Sequence, residues 1–227
     1  MTAGPSRLGG WLRDRSLTLT MVGLFAVCAA GQVLAGWFDF NETATSHGQL
    51  ASPLAAYVTS GHLWEALFEN WESEFLQMSA FVVLSAYLYQ VGSPESRRPG
   101  ARELVDADPR EFSDLPDVPW AVRRGGWVLG LYEYSLGGAL FLLFLVSFAG
   151  HVLGGWAEQS AEQRLHGQVP GTVLDYATSS RFWFESLQNW QSEFLSVGVM
   201  VWLAVYLRQR GSPESKPVHA PHAETGR

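Results

Sequence analysis

The residues best suited to chemistry stand in two near-copies of one stretch, Asn70-Trp-Glu-Ser-Glu-Phe-Leu76 and Asn189-Trp-Gln-Ser-Glu-Phe-Leu195. On a helix, Asn70, Glu74 and Gln77 share one flank of an apolar stripe, and Asn189, Glu193 and Ser196 share the corresponding flank of the other copy. Facing carboxylates such as Glu74 and Glu193 can share a proton or bind a cation, and with imidazoles they can ligate a divalent metal. His47 and His166 are the imidazoles to consider, since each occupies the same place in the loop that precedes its stretch. The plainer alternative is polar glue, in which Asn and Glu hydrogen-bond neighbouring helices.

Other groups carry less of this argument. The opposite flank holds Glu65, Glu69 and Glu72, but in the second copy these become Phe184, Gln188 and Gln191. A flank that can lose its charge needs only water or hydrogen bonds. His151 falls within an apolar run and corresponds to Gln32, so paired axial haem ligation lacks its second imidazole. Cys28 is the only cysteine, which excludes an intrachain disulfide and a cysteine metal or redox site.

The elements that position these residues are helices in a membrane. Residues 16–37 and 134–156 contain no Asp, Glu, Lys or Arg, and residues 75–91 and 194–207 are shorter runs of the same kind. Each lies at or near the roughly 17–25 residues that cross ~30 Å of hydrocarbon. A shift of 119 residues superposes the two halves of the chain. Gly31, Gly36 and Trp37 then meet Gly150, Gly155 and Trp156, and His47-Gly-Gln49 meets His166-Gly-Gln168. Tyr57, Thr59 and Ser60 meet Tyr176, Thr178 and Ser179, and Gly92-Ser-Pro-Glu-Ser96 meets Gly211-Ser-Pro-Glu-Ser215. The first apolar run therefore corresponds to an internal one and reads as a retained helix, not a signal peptide.

The expected fold is all-α: an integral membrane four-helix bundle made of two parallel two-helix repeats. The first repeat covers 7–96, with helices at about 16–37 and 61–91. A polar linker spans 97–125, and the second repeat covers 126–215, with helices at about 134–156 and 180–208. Residues 216–227 read as a disordered tail. Thirteen of the fifteen Lys and Arg residues flank the repeats or lie in the linker, and only Arg164 and Arg181 fall in the two remaining loops. By the positive-inside rule both termini are cytoplasmic. Counting back from the inner-interface Tyr89 and Arg208 puts Asn70 and Asn189 at the outer boundary, with Glu74 and Glu193 one turn deeper. Fourteen Arg against one Lys suits a GC-rich bacterial genome, and so a plasma membrane protein.

The doubled Asn-Trp-x-Ser-Glu-Phe-Leu and Gly-Ser-Pro-Glu-Ser motifs resemble a family of small bacterial integral membrane proteins whose domain has no known function. The resemblance covers about residues 7–215; it implies a four-helix membrane protein and supplies no activity. The functional expectation is a non-enzymatic membrane protein with a polar Asn/Glu site at the outer boundary. Its rivals are a small, dimeric proton or cation transporter or channel-like module, and a metal-dependent membrane enzyme or redox subunit. No cofactor is expected; a divalent metal belongs to the last rival alone. The expected partners are the lipid bilayer and a second copy or another membrane protein. The sequence has no phosphate-binding glycine loop and no basic patch, so no nucleic acid is expected.

Overall fold

The computed structural model describes residues 7–98, 100 and 102–226, among which there are nine α-helices and no β-strand. The chain divides into two compact units, Met1–Trp64 and Glu65–Arg227. The first unit contains α1 (Arg7–Asp14), α2 (Ser16–Ser46), α3 (Leu54–Tyr57) and the opening of α4 (Gly61–Ser85). The second contains the rest of α4, then α5 (Trp120–Arg124), α6 (Gly126–Glu133), α7 (Ser135–Leu165), α8 (Val173–Ala177) and α9 (Ser180–Tyr206). Short 3-10 turns at Leu104–Asp106 and Pro109–Phe112 occupy the linker.

Among the described residues, α2 and α7 are the two helices long and apolar enough to cross a membrane. No residue of α2 is buried. Both helices run past the tryptophans where the charge-free windows end, because nothing breaks them before Gly48 and Gly167. There the repeated His-Gly-Gln triplet acts as a stop. Gly48 and Gly167 adopt φ of +74° and +69°, a conformation that costs glycine little. The amide of Gln49 then donates to the Ala44 carbonyl at 2.9 Å, and that of Gln168 to the Gln163 carbonyl at 2.8 Å. With the Gly48–Thr45 and Gly167–Arg164 bonds (3.0 and 3.1 Å), each triplet closes a Schellman motif.

The other doubled residues also build structure. Trp37 Nε1 donates to the Ser52 carbonyl at 2.8 Å, and Trp156 Nε1 to that of Gly171 at 2.9 Å, folding each loop back onto its helix. Buried Tyr57 and Tyr176 press their hydroxyls against Gly36 and Gly155, where a Cβ would lie 2.2 and 1.9 Å from the phenol oxygen. Ser60 Oγ accepts from the Leu63 amide and Ser179 Oγ from the Phe182 amide, so each caps the start of its helix. The Gly-Ser-Pro-Glu-Ser motifs form matching turns in which Ser96 and Ser215 accept the amides of Gln90 and Gln209.

Composition marks the segment from Lys216 onward as a tail. Yet Lys216 is buried and donates Nζ to the carbonyls of Pro221, His222 and Glu224 at 2.9–3.0 Å. Thr225 Oγ1 accepts the Gly92 amide at 2.9 Å and so docks the segment on the first of the two turns.

A buried carboxylate and imidazole cluster as the candidate site

Within the second unit, α4 presents Glu65, Glu69 and Glu72 at i, i+4 and i+7, one face of the helix. Opposite them, α7 contributes His151, α8 contributes Tyr176, and α9 contributes Arg181, Glu185, Asn189 and Trp190. Close approach of α4 and α7 depends on Gly150, where a Cβ would lie 2.4 Å from the Phe68 ring. The next residue, His151, is thereby enclosed; it and Glu72 are 0% exposed, and Glu65 is 7% exposed. Phe182 packs on the imidazole with ring centres 4.8 Å apart.

The polar contacts form a connected set. His151 Nδ1 lies 3.2 Å from Glu72 Oε2, and its Nε2 lies 3.6 Å from Glu185 Oε2. Both ring nitrogens and Glu72 Oε2 nevertheless have no aligned hydrogen-bond partner. Trp190 Nε1 holds the other Glu72 oxygen at 3.2 Å. Asn189 Nδ2 donates to Glu69 Oε1 at 2.5 Å. The Tyr176 hydroxyl is shared between Glu65 Oε1 at 3.0 Å and Glu185 Oε2 at 3.1 Å. Arg181 Nη2 reaches Glu65 at 3.2 Å, and its Nε reaches Glu185 at 2.9 Å. Burial first, then the charge of Glu65, pushes the Tyr176 phenol above its ordinary value, so it stays a hydrogen-bond donor.

Charge decides what this arrangement can do. Four carboxylates (Glu65, Glu69, Glu72 and Glu185) converge with one guanidinium, so the ionised cluster is −3 with a neutral imidazole and −2 with a charged one. Removing unpaired charge from water costs several kcal/mol per ion, about as much as a small domain's whole margin of stability. A proton or a cation taken up by the cluster would offset part of this charge.

The residues singled out by the repeated motif are placed differently. Asn70 is exposed and donates to the Ala66 carbonyl of its own helix at 2.8 Å. Exposed Ser196 bonds the Glu193 carbonyl at 2.8 Å. Glu74 is exposed and Glu193 half-buried. Gln77 is buried. Only Asn189, through Glu69, joins the cluster. His47 and His166 are exposed, and each Nδ1 faces the carbonyl four residues back in its own helix, Thr43 at 2.8 Å and Glu162 at 2.9 Å. Each imidazole is thus tied to the helix end that its triplet closes.

The charged members of the cluster instead sit where the two copies differ, whereas Tyr176, Asn189 and Trp190 match Tyr57, Asn70 and Trp71. Glu65, Glu72, His151, Arg181 and Glu185 correspond to Phe184, Gln191, Gln32, His62 and Ala66. Reasoning that favours residues present in both copies passes over all five. The available signal was the concentration of charge-changing differences on facing helices. The chain matches the family model described as Domain of unknown function (DUF6766) over residues 8–227, and it belongs to that family. No curated protein and no solved structure matches it.

Proposed function

We propose that the chain is a multi-pass protein of the bacterial plasma membrane whose buried anionic centre takes up and releases cations, a small proton- or cation-handling module. In this reading the four long helices form a bundle of two parallel repeats, with both termini cytoplasmic and the centre in the outer half. The exposed apolar length of α2 supports insertion, because a surface of that kind in water would drive aggregation. The bias of basic residues toward the termini and linker supports the orientation. Two protomers side by side would enclose a path that four helices alone do not.

The observation that carries the functional part is the uncompensated charge at Glu65, Glu69, Glu72 and Glu185. Ionisable groups inside a membrane protein are costly and mark ion pathways or proton relays. A purely structural network would be expected to balance its own charge.

The sign of one stability change tests this. Glu69 is bonded by the Asn189 amide, not by an ion pair, and Gln is what the other copy carries at this position. Glu69→Gln keeps the acceptor and removes one repelling charge. In chelator and low salt, the variant is expected to melt above the wild type in detergent. A melting temperature equal to or below wild type would mean that the carboxylate serves as structural glue.

A further inference from the structure

We propose that Glu65, His151 and Glu185 form a binding site for one divalent first-row transition metal, of the Mn2+, Fe2+ or Zn2+ class; this rests on the cation-handling reading above and names its cation. One ligand atom from each of the three residues lies within 4.8 Å of the others. A point within about 2.8 Å of all three therefore exists, and shifts of about 0.7 Å bring it to the ~2.0–2.2 Å of carboxylate and imidazole bonds.

The imidazole supplies the independent argument. Glu72, anchored at Oε1 by Trp190, holds Oε2 3.2 Å from His151 Nδ1. A carboxylate in that position favours the tautomer with hydrogen on Nδ1 and leaves the Nε2 lone pair facing the other carboxylates, as in carboxylate–histidine–metal triads. The 3.6 Å from Nε2 to Glu185 Oε2 exceeds the usual 2.7–3.2 Å of an N–H···O bond, whereas the 3.2 Å from Nδ1 to Glu72 Oε2 falls within it. Two bonds of ~2.1 Å meeting at a tetrahedral or trigonal angle span roughly 3.4–3.6 Å, which fits that separation. Arg181 and Tyr176 bond the same two carboxylates, Tyr176 bridging one oxygen of each, and would fix their orientation. A dication would offset two of the three excess negative charges. One nitrogen with two carboxylates and no thiolate selects the named class over Cu+, and the imidazole disfavours Mg2+ and Ca2+. Because the other copy has Phe184, Gln32 and Ala66 at these positions, the chain carries one site, not two.

The test uses the full chain in detergent, freed of metal by chelator and titrated with Mn2+ or Zn2+ by calorimetry. One equivalent is expected, with Mg2+ and Ca2+ at least 100-fold weaker. His151→Gln is expected to weaken Mn2+ binding at least 100-fold, and Glu72→Gln 10- to 100-fold. Pulsed EPR of the Mn2+-loaded wild type is expected to show coupling to one imidazole nitrogen, a readout that does not depend on a variant's folding. No Mn2+ or Zn2+ binding, two equivalents per chain, or bound Mn2+ without nitrogen coupling overturns the site. If metal fails to bind while Glu69→Gln still raises the melting temperature, the metal assignment falls and the centre works with protons. If both fail, the cation-handling reading falls with it.

Discussion

Doubled Gly–Tyr contacts allow the packing of the two repeats to be compared by one substitution each. Gly36→Ala places a methyl 2.2 Å from the Tyr57 hydroxyl and 3.2 Å from the next ring carbon. Gly155→Ala places it 1.9 Å from the Tyr176 hydroxyl, with two ring carbons at 2.3 and 2.7 Å. Alanine otherwise favours a helix interior by about 0.8–1 kcal/mol over glycine, whereas overpacking a filled core costs roughly 1–3 kcal/mol. With three atoms inside contact distance, Gly155→Ala falls at the upper end, a net loss of about 2 kcal/mol. Gly36→Ala meets one atom and should cost about 1 kcal/mol or less. Second-site removal of the hydroxyl separates them. Tyr57→Phe leaves the methyl 3.2 Å from the ring carbon, a contact relieved by a shift of a few tenths of an ångström, and should bring Gly36→Ala close to neutrality. Tyr176→Phe leaves ring carbon at 2.3 Å and should recover little. Unfolding in mixed micelles, followed by tryptophan fluorescence, gives both double-mutant cycles. Equal rescue in the two repeats would refute this packing.

Three further outcomes follow from the same geometry. Lys216 is the only lysine, and its buried ammonium should react slowly with an amine-directed reagent; Gly92→Ala, whose Cβ would meet the His222 carbonyl at 2.4 Å at a φ of +90°, should expose it and speed labelling. Labelling of the wild type at the rate of a free lysine would contradict the docked tail. Asp175 is held below its ordinary value by the Thr172 amide and then the Thr172 hydroxyl, so its contribution is full above the unfolded value near 3.9 and is lost as pH falls through the lower folded value. Asp175→Asn should therefore flatten the fall in melting temperature below about pH 4, and an unchanged slope would argue against this cap.

Much of the frame was legible in the residues because matching motifs occur twice, 119 positions apart. The offset between copies aligned two long apolar helices, two Tyr–Gly contacts and two helix stops, each built from local geometry that a short motif encodes. The doubled residues owe their identity to that frame. His-Gly-Gln closes a helix, Tyr seats on Gly, Ser caps, and Trp ties down its loop. Shared polar residues were therefore a poor guide to chemistry, and the imidazoles of His47 and His166 serve helix ends. The cluster was less legible because it joins four helices and residues more than a hundred positions apart, such as Glu65 with Tyr176 and Arg181. No periodicity within one helix reports such a meeting. What the periodicity did report was that Glu65, Glu69 and Glu72 share a face. Reading their loss from the second copy as tolerance, and not as specialisation, hid the significance of that face.

Proteoliposomes carrying the full chain, with a pH- or Mn2+-sensitive dye inside, test the central claim most directly. With an inward proton or Mn2+ gradient imposed, the wild type is expected to carry flux above protein-free vesicles, and Glu72→Gln, reconstituted to the same density, is expected to lose most of it. Flux indistinguishable from empty vesicles under both gradients, or flux that Glu72→Gln leaves unchanged, would contradict the account.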